Sequence, residues 1–399
     1  MNKVEELIRQ LCPEGVEFTE IGKIGDFYGG LTGKSKDDFQ DGNAKFVTYM
    51  NVFSNIAVKT DIDIFVKIDE KENQNRVEYG DVLFTGSSET PDECGMSSVL
   101  TEKITEPLYL NSFCFGFRLL DKELFLPNFL KYLFRDNSLR KQIGQTASGV
   151  TRFNISKKRF AKVIIPMPPI AVQQEIVSIL DKFTQLEAEL EAELEAELEA
   201  RKKQYEYYRN ELLTFGDEVE YKRLDEIFTI SRGRVISKEY LSQNSGKYPV
   251  YSSQTANNGQ IGKIATYDYN GEYLTWTTDG ANAGTIFYRN EQFSITNVCG
   301  LLKANTINVV PKFAYYVLSV VMKSYVSSGM GNPKLMSNVV AKIQIPIPPL
   351  PVQQEIVTIL DTFTQLEAEL EAELEAELEA RKKQYEYYRE KLLSFEKAE

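Results

Sequence analysis

The chain has 399 residues, 42% of them hydrophobic and 26% charged, with a formal net charge of −12 and no histidine. The missing histidine excludes Cys/His zinc fingers, His-based triads and His general bases. No signal peptide or membrane-length apolar run is visible, and Cys12, Cys94, Cys114 and Cys299 are scattered without a CxxC, so the expectation is a soluble cytoplasmic protein with reduced thiols and no membrane partner.

Residues 1–15 predict a short amphipathic helix ended at Pro13, and residues 16–21 (VEFTEI) open a first module. That module takes in 1–166 and closes on 161–166 (AKVIIP). Residues 216–346 repeat the plan: 219–224 (VEYKRL) match the opening phrase and 341–346 (AKIQIP) the closing one. Between the phrases the pattern is strand-like, at 45–53, 77–85 and 113–120 in the first module and at 248–252, 260–267, 271–278 and 284–288 in the second. Asn257-Asn258-Gly259 and Asp279-Gly280-Ala281-Asn282 mark turns. Each module also carries one late apolar helix, at 127–143 and 311–325, followed by a Ser-Gly loop at Ser148-Gly149 and Ser328-Gly329. The first module is longer by about 23 residues.

A helical segment succeeds each module, at 167–215 and 347–399. The stretch 185–209, QLEAELEAELEAELEARKKQYEYYR, recurs letter for letter at 365–389. Ile176, Ile179, Leu180, Phe183, Leu186 and Leu190 recur at spacings of three and four, one face of a helix, and Pro168-Pro169 and Pro348-Pro349 stand at the two starts. The leucines at 186, 190, 194 and 198, and again at 366, 370, 374 and 378, come every four residues. Four residues turn about 400°, so the leucines drift and sweep a stripe about 120° wide. Such a helix could stay solvated or join a second chain. Two equal ones in one chain make an intramolecular antiparallel pair the simplest expectation. The repeats hold fourteen glutamates, and subtracting these from −12 leaves +2, so the acidity belongs to the helices and leaves the modules free to meet an anionic partner.

This order of variable module, repeated helix, variable module, repeated helix resembles the specificity subunit of type I restriction–modification systems. Its most specific pieces are Ile-Pro-x-Pro-Pro…Val-Gln-Gln-Glu-Ile-Val at 165–177 and 345–357, and Arg-Lys-Lys-Gln-Tyr-x-Tyr-Tyr-Arg at 201–209 and 381–389. The tetrapeptides are similar to those of the subgroup in which repeat number sets the spacing between domains, with the difference that both helices here carry a full array. The resemblance implies an α+β, pseudo-twofold fold: two β-rich target recognition domains separated by an antiparallel coiled coil. It implies double-stranded DNA as partner, each module reading half of a split asymmetric site. It also implies two methyltransferase subunits docked on the coil, and restriction subunits in complexes that cleave. S-adenosylmethionine would then belong to the methyltransferase, ATP and magnesium to a restriction subunit, and no cofactor to this chain. Docking and spacing would fall to Gln173, Gln174, Leu186, Leu190, Leu194, Leu198, Tyr205, Leu366, Leu370, Leu374, Leu378 and Tyr385.

For DNA contact the residues themselves nominate loops. In the first module the glycine-rich, basic 28–36 (YGGLTGKSK) offers Gly30 for close backbone approach and Lys34 and Lys36 for phosphates, while Arg152 and Asn154 can pair bidentately with base edges. In the second module the counterparts are Arg232, Arg234, Lys238, Gln254, Asn257 and Lys334. Catalysis by this chain is not expected. An amino-methyltransferase needs an Asn/Asp-Pro-Pro-aromatic loop, which Asn332-Pro333-Lys334-Leu335 is not, and no P-loop is present. A metal-dependent nuclease built on Asp81, Glu89 and Asp279, and a protein-binding scaffold with two β-rich heads, stand as the alternatives.

Overall fold

The computed structural model describes residues 3–327 and 331–398. The expected Ser328-Gly329 loop lies outside them. The chain divides into two compact units, Met1–Ala192 with Ala376–Glu399, and Glu193–Glu375.

In the first unit helix α1 (Lys3–Leu11) buries Val4, as its amphipathic spacing predicts. The module's opening and closing phrases pair with each other: strand Phe18–Glu20 runs antiparallel to Ile164–Pro166, with Phe18 opposite Pro166. An antiparallel sheet of Gly25–Gly29, Cys114–Leu119, Val82–Thr85 and Ser97–Val99 supplies the main β core. A second sheet sets Ala44–Val47 between Phe65–Val66 and Leu108–Leu110, the latter pairing parallel. The strand expected over 45–53 stops at Val47, because the Thr48 side chain accepts from Asn51 N and caps helix α2 (Tyr49–Ser54). The single helix expected over 127–143 is two, α3 (Pro127–Leu133) and α4 (Asn137–Gly144). Asp136 breaks it by accepting from Ser138 N at 2.9 Å and starting a new N-terminus. Helix α5 (Lys157–Phe160) leads into the closing strand.

Helix α6 (Ile170–Leu212) then begins, and its first turns belong to the first module's core. Val172, Ile176 and Leu180 are wholly buried there with Phe125, Phe129 and Leu133. The same core takes Leu392 and Leu393 from the far end of the last helix, and the chain beyond them pairs with Val16 on both sides, through Glu396 O at 2.9 Å and Ala398 N at 3.0 Å.

The second unit repeats this construction. Strand Tyr221–Arg223 pairs with Gln344–Pro346, helix α7 (Leu224–Ile227) comes next, and helix α8 (Lys238–Gln243) lies beside strand Gln260–Ile264. Its β core is one six-stranded sheet, in the order Phe228–Arg232, Cys299–Ala304, Tyr269–Thr277, Ile286–Ile295, Ser245–Tyr251, Gln260–Ile264. Helix α9 (Pro311–Val321) and the short α10 (Ser337–Val340) precede the closing strand. Helix α11 (Leu350–Leu393) buries Ile356 and Leu360, while Leu212, Leu213 and Phe215 from the end of α6 pack on the same core.

Two polar anchors recur in both units. Gln173 is fully buried, donating to the carbonyls of Leu124 and Pro168 at 3.1 and 2.8 Å and accepting from Leu126 N at 2.9 Å. Gln353 does the same with Asn308, Pro348 and Val310. Further along the same helices, Asp181 takes Lys131 at 2.8 Å and the Tyr132 hydroxyl at 2.6 Å, and Asp361 takes Lys312 and Tyr316 at 2.6 and 2.5 Å. Burial, and then the bond to the carboxylate, push the Tyr132 and Tyr316 hydroxyls up, so both stay protonated donors. Gln173 thus fastens its helix to its own module, whereas Gln174 is exposed.

Each unit holds the start of one long helix beside the end of the other, so the pairing is antiparallel. In the first unit Phe183 stacks on Tyr388 at 5.5 Å and meets Tyr385 edge-on. In the second, Phe363 stacks on Tyr208 at 5.9 Å and meets Tyr205 edge-on. The repeat leucines are less covered than a closed pair would leave them. Leu186 is 60% and Leu366 54% exposed, and the other six are only partly buried. A stripe about 120° wide exceeds what one partner helix spans.

Gln173→Leu removes the partners of one N–H and two carbonyls in a closed site. It should cost about 3 kcal/mol, read as a lower denaturation midpoint, with Lys182→Ala, on the exposed side of α6, as the control that leaves the midpoint unchanged.

Candidate nucleic-acid interface

Both modules bring two loops together at the same place. In the first, the loop after strand Val82–Thr85 carries the short strand Ser87–Ser88, which pairs with Phe153–Ile155, itself paired with Ala147–Ser148. In the second, the turn after strand Tyr269–Thr277 meets residues 333–335: Gly280 N donates to Pro333 O at 3.0 Å, Leu335 N to Thr278 O at 2.9 Å, and the backbones of Asp279 and Lys334 form an isolated antiparallel β-bridge. Ile155 N to Gly86 O at 2.9 Å is the first module's equivalent bond. Arg152 and Asn154 thus stand where Asn332 and Lys334 stand in the second module, and all of these are exposed.

In the first module these loops wall a cavity of about 510 Å³. Ser87, Ser88, Glu89, Glu93, Thr151 and Arg152 form its polar side, and Tyr49, Met50, Phe53 and Phe113 its apolar side. Met50 is 60% and Phe113 58% exposed. Arg152 is held in place: Nε and Nη2 donate to Ser87 Oγ at 3.1 and 2.9 Å, and the guanidinium lies 5.6 Å from the Phe113 ring centre. Ser87 occupies one edge of the fork, leaving Nη1 and an outer Nη2 hydrogen for an acceptor. Tyr49 ties the two walls by donating to Ser87 O at 2.8 Å. None of these apolar and hydroxyl residues stood out in the sequence, because they come from four distant segments.

The basic loop at 28–36 lies elsewhere and is largely spent. Gly30 is buried, and a Cβ there would sit 2.0 Å from Asn111 O, so its smallness serves packing and not an approaching ligand. Lys34 Nζ bonds Glu72 Oε1 at 2.5 Å with its side chain 6% exposed, so it is no free cation for a phosphate. Lys36 remains exposed.

In the second module hydrogen bonds join four segments around residues 252–255. The backbones of Arg234 and Thr296 form an isolated parallel β-bridge, and the Thr296 hydroxyl lies 2.8 Å from Ser252 Oγ. Ser253 Oγ donates to Asp279 O at 3.0 Å, and Asn282 Nδ2 to Thr255 Oγ1 at 3.0 Å. Gln254 turns inward and donates to Gln260 O at 2.8 Å, closing the turn in which Asn257 and Asn258 take φ of 50° and 52°. The Asn257 side chain is exposed. Arg234 is paired with Asp268 at 3.0 Å over the Tyr240 ring, and that bond raises its pKa. Arg232 leans on Ser337 Oγ and Met336 Sδ, both at 3.3 Å. Lys238 is exposed in the first turn of α8.

One member of each loop pair lies in a stretch of one-sided charge. Residues 137–174 contain no Asp or Glu and seven Lys or Arg; residues 292–354 contain no Asp or Glu and five Lys. In the first module Lys157, Lys158 and Arg159 of α5 are exposed directly after the loop strand. Glu89 and Glu93 also line the first module's cavity, with Glu93 accepting from Ser88 Oγ and Thr90 Oγ1 at 3.1 and 3.0 Å, and the cations of the two acid-free stretches, beside hydroxyls and the free Arg152 edge, suit a polyanion with readable base edges. The nuclease alternative finds no support in Asp81, which is 1% exposed, bonded to both Arg118 nitrogens at 2.8 and 2.7 Å and to the Tyr28 hydroxyl at 2.7 Å. Among the described residues no helix is long and apolar enough to cross a membrane.

Comparison with known proteins agrees with this organisation. A putative type I specificity subunit of Mycoplasma pneumoniae is 39% identical over 237 residues, 57% of this chain and 92% of the relative. A second one from the same organism is 38% identical over 251 residues, 61% of this chain and 90% of its own. A solved chain from a study of assembly and conformational transition of the type I R-M system superposes with a TM-score of 0.75 at 16% identity, covering 95% of this chain and 97% of the other. The HsdS subunit of Thermoanaerobacter tengcongensis gives 0.59 at 16% identity, covering 95% of each chain. The type I restriction modification DNA specificity domain profile matches twice, at residues 13–200 and 216–380, and with two such domains on a duplicated helical frame the chain belongs to that family of non-catalytic DNA-specificity subunits.

Proposed function

We propose that this DNA-specificity subunit reads one two-part, asymmetric site in double-stranded DNA, the first module one half and the second module the other. The observation that carries this is the recurrence of the same loop pair in two modules with unlike residues: Ser87, Ser88, Arg152 and Phe113 in one, Asp279, Asn282 and Lys334 in the other. Equal frames with unlike reading residues suit an asymmetric target, whereas a symmetric dimer would read a palindrome. The half-covered leucine stripes are the surface we assign to two methyltransferase subunits, one on each equivalent helix segment. Those subunits would carry S-adenosylmethionine, restriction subunits where present would carry ATP and magnesium, and the assembly would act in the cytoplasm. The chain itself would hold no cofactor.

Sequencing of methylated bases in DNA from cells that express this chain with its methyltransferase partner tests the reading. A bipartite motif with a fixed gap is expected; methylation of one uninterrupted palindrome refutes it. Mass measurement of the purified complex should give two methyltransferase chains per specificity chain, and full activity at one to one would refute the duplicated docking surface.

Arg152→Ala should weaken specific binding by about 1–3 kcal/mol and relax one position of the first half-site only. Lys157→Ala with Lys158→Ala should instead weaken all sequences alike and lower the salt slope by about 2. Arg234, already neutralised by Asp268, should behave more weakly than Arg152 when changed to Ala.

The repeats are the proposed ruler. Deleting Leu190–Glu193 shortens α6 by about 6 Å and rotates the remainder of the helix by about 40°, keeping the leucine stripe in step. Both half-sites should persist with a gap shorter by one base pair; a slipped pairing with lost activity should be rescued by also deleting Leu370–Glu373. An unchanged gap in an active deletion variant would remove the ruler role.

A further inference from the structure

Three arginines in the modules stand out because they are turned inward onto backbone carbonyls and rings without an ion pair of their own. Among the described residues Arg135, Arg140 and Arg289 form no ion pair, yet each spends its guanidinium inside its module. Arg135, between α3 and α4, donates from Nη2 to the carbonyls of Val52, Phe53 and Asn55 at 3.0, 2.9 and 3.2 Å and from Nε to Ser97 O at 2.7 Å. It thereby closes the C-terminal end of α2, the helix that presents Tyr49, Met50 and Phe53 to the cavity. Arg140, five residues on, donates to the carbonyls of Asp92 and Cys94 at 2.7 Å each and to Gly95 O. These carbonyls end the loop that carries Ser87, Ser88 and Glu89 to the opposite wall. Gly95 itself has φ +65°, and a Cβ there would lie 2.6 Å from Ile143 Cγ2, so the loop is pressed against α4 where Arg140 reaches it. Two arginines from one short stretch thus pin the two walls of one cavity.

The second module has a counterpart at an unrelated position. Arg289 is 2% exposed, sits 3.5 Å from the Tyr251 ring centre and 4.7 Å from that of Phe287, and donates to Asn258 O at 2.7 Å. Asn258 belongs to the left-handed turn that projects Asn257. Burial lowers all three pKa values, to about 10 for Arg135 and Arg140. Holding a cation in such surroundings is costly, and a stabilising role alone is met as well by apolar packing. What a guanidinium adds is several donors in one rigid plane, fixing several loop carbonyls at once. It also places a positive charge behind the loop.

We propose that Arg135 and Arg140 are positioning residues for the first half-site, and Arg289 for the second: each fixes the backbone of the loops that read bases without touching DNA. This rests on the two-module reading of DNA. Lysine keeps the charge but loses the fork, so it separates geometry from electrostatics. The measurement is methylation of a cognate duplex and of duplexes with single substitutions in either half, by the complex of this chain with its methyltransferase subunits.

R140K and R135K should each lower discrimination in the first half about tenfold and leave the second half unaltered. R289K should do the reverse. Nonspecific affinity and its salt slope should stay at the wild-type value in all three. Amide exchange should quicken at residues 86–95 in R140K and at 254–260 in R289K, with the melting temperature held. Discrimination unchanged, or lowered equally in both halves, overturns the inference. Loss of the module's fold in both R140K and R135K overturns it too, since the arginines would then serve stability alone. A wild-type complex that shows no two-part site refutes the two-module reading itself, whereas a normal wild type with unaltered lysine variants refutes only the positioning role.

Discussion

Everything in this chain depends on how each β-rich module is closed by two helical segments that are distant in sequence. The first module buries Val172, Ile176 and Leu180 from the helix that succeeds it and Leu392 and Leu393 from the end of the other helix. The second buries Ile356 and Leu360 and packs the partly buried Leu212, Leu213 and Phe215 on the same core. Each such aliphatic side chain is worth about 1.5–3 kcal/mol when fully buried, so neither module's core is complete without both segments. Gln173 and Gln353 then fix the angle at which the helices leave, since a buried amide with three satisfied bonds tolerates little rotation.

This closure explains why the two modules can differ freely elsewhere. The shared parts are the opening and closing strands, the glutamine and aspartate anchors and the apolar helix beside them, all on the side that meets the long helices. The main sheets have four strands in one module and six in the other. The loop pair at the candidate interface survives this divergence because it is built from the end of a central strand and the segment that precedes the closing strand. Both ends are anchored in the common frame, so the residues between them can change without moving the frame.

Electrostatics divide along the same line. The repeats hold fourteen glutamates, and the stretches of 38 and 63 residues that contain no acid lie in or lead from the modules. Acidic helices disfavour DNA along their length and leave attraction to the basic loop regions, which favours register as well as affinity. Within the first module the cations divide again. Lys157 and Lys158 face solvent, Arg152 is pre-oriented by Ser87 and Phe113, and Arg135 and Arg140 are withdrawn to hold loop carbonyls.

Periodicity and repetition alone determined the duplicated helices, the two-module plan, the matched phrases that begin and end each module, and the family resemblance, because those features are local or copied. They also located the Arg152 and Lys334 loops, since glycine, asparagine and cations mark turns. Only the tertiary structure decided what the individual polar residues do. Lys34 went to Glu72, Gln254 to its own turn and Gln173 to the helix root, because a partner the linear pattern does not mark satisfied each of them. The strand expected at 45–53 and the single helix at 127–143 gave way to caps at Thr48 and Asp136, whose side chains offer the backbone a competing hydrogen bond. The cavity that joins Met50, Ser87, Phe113 and Arg152 has no linear signature at all, because contacts between separate segments, and not local spacing, bring its walls together.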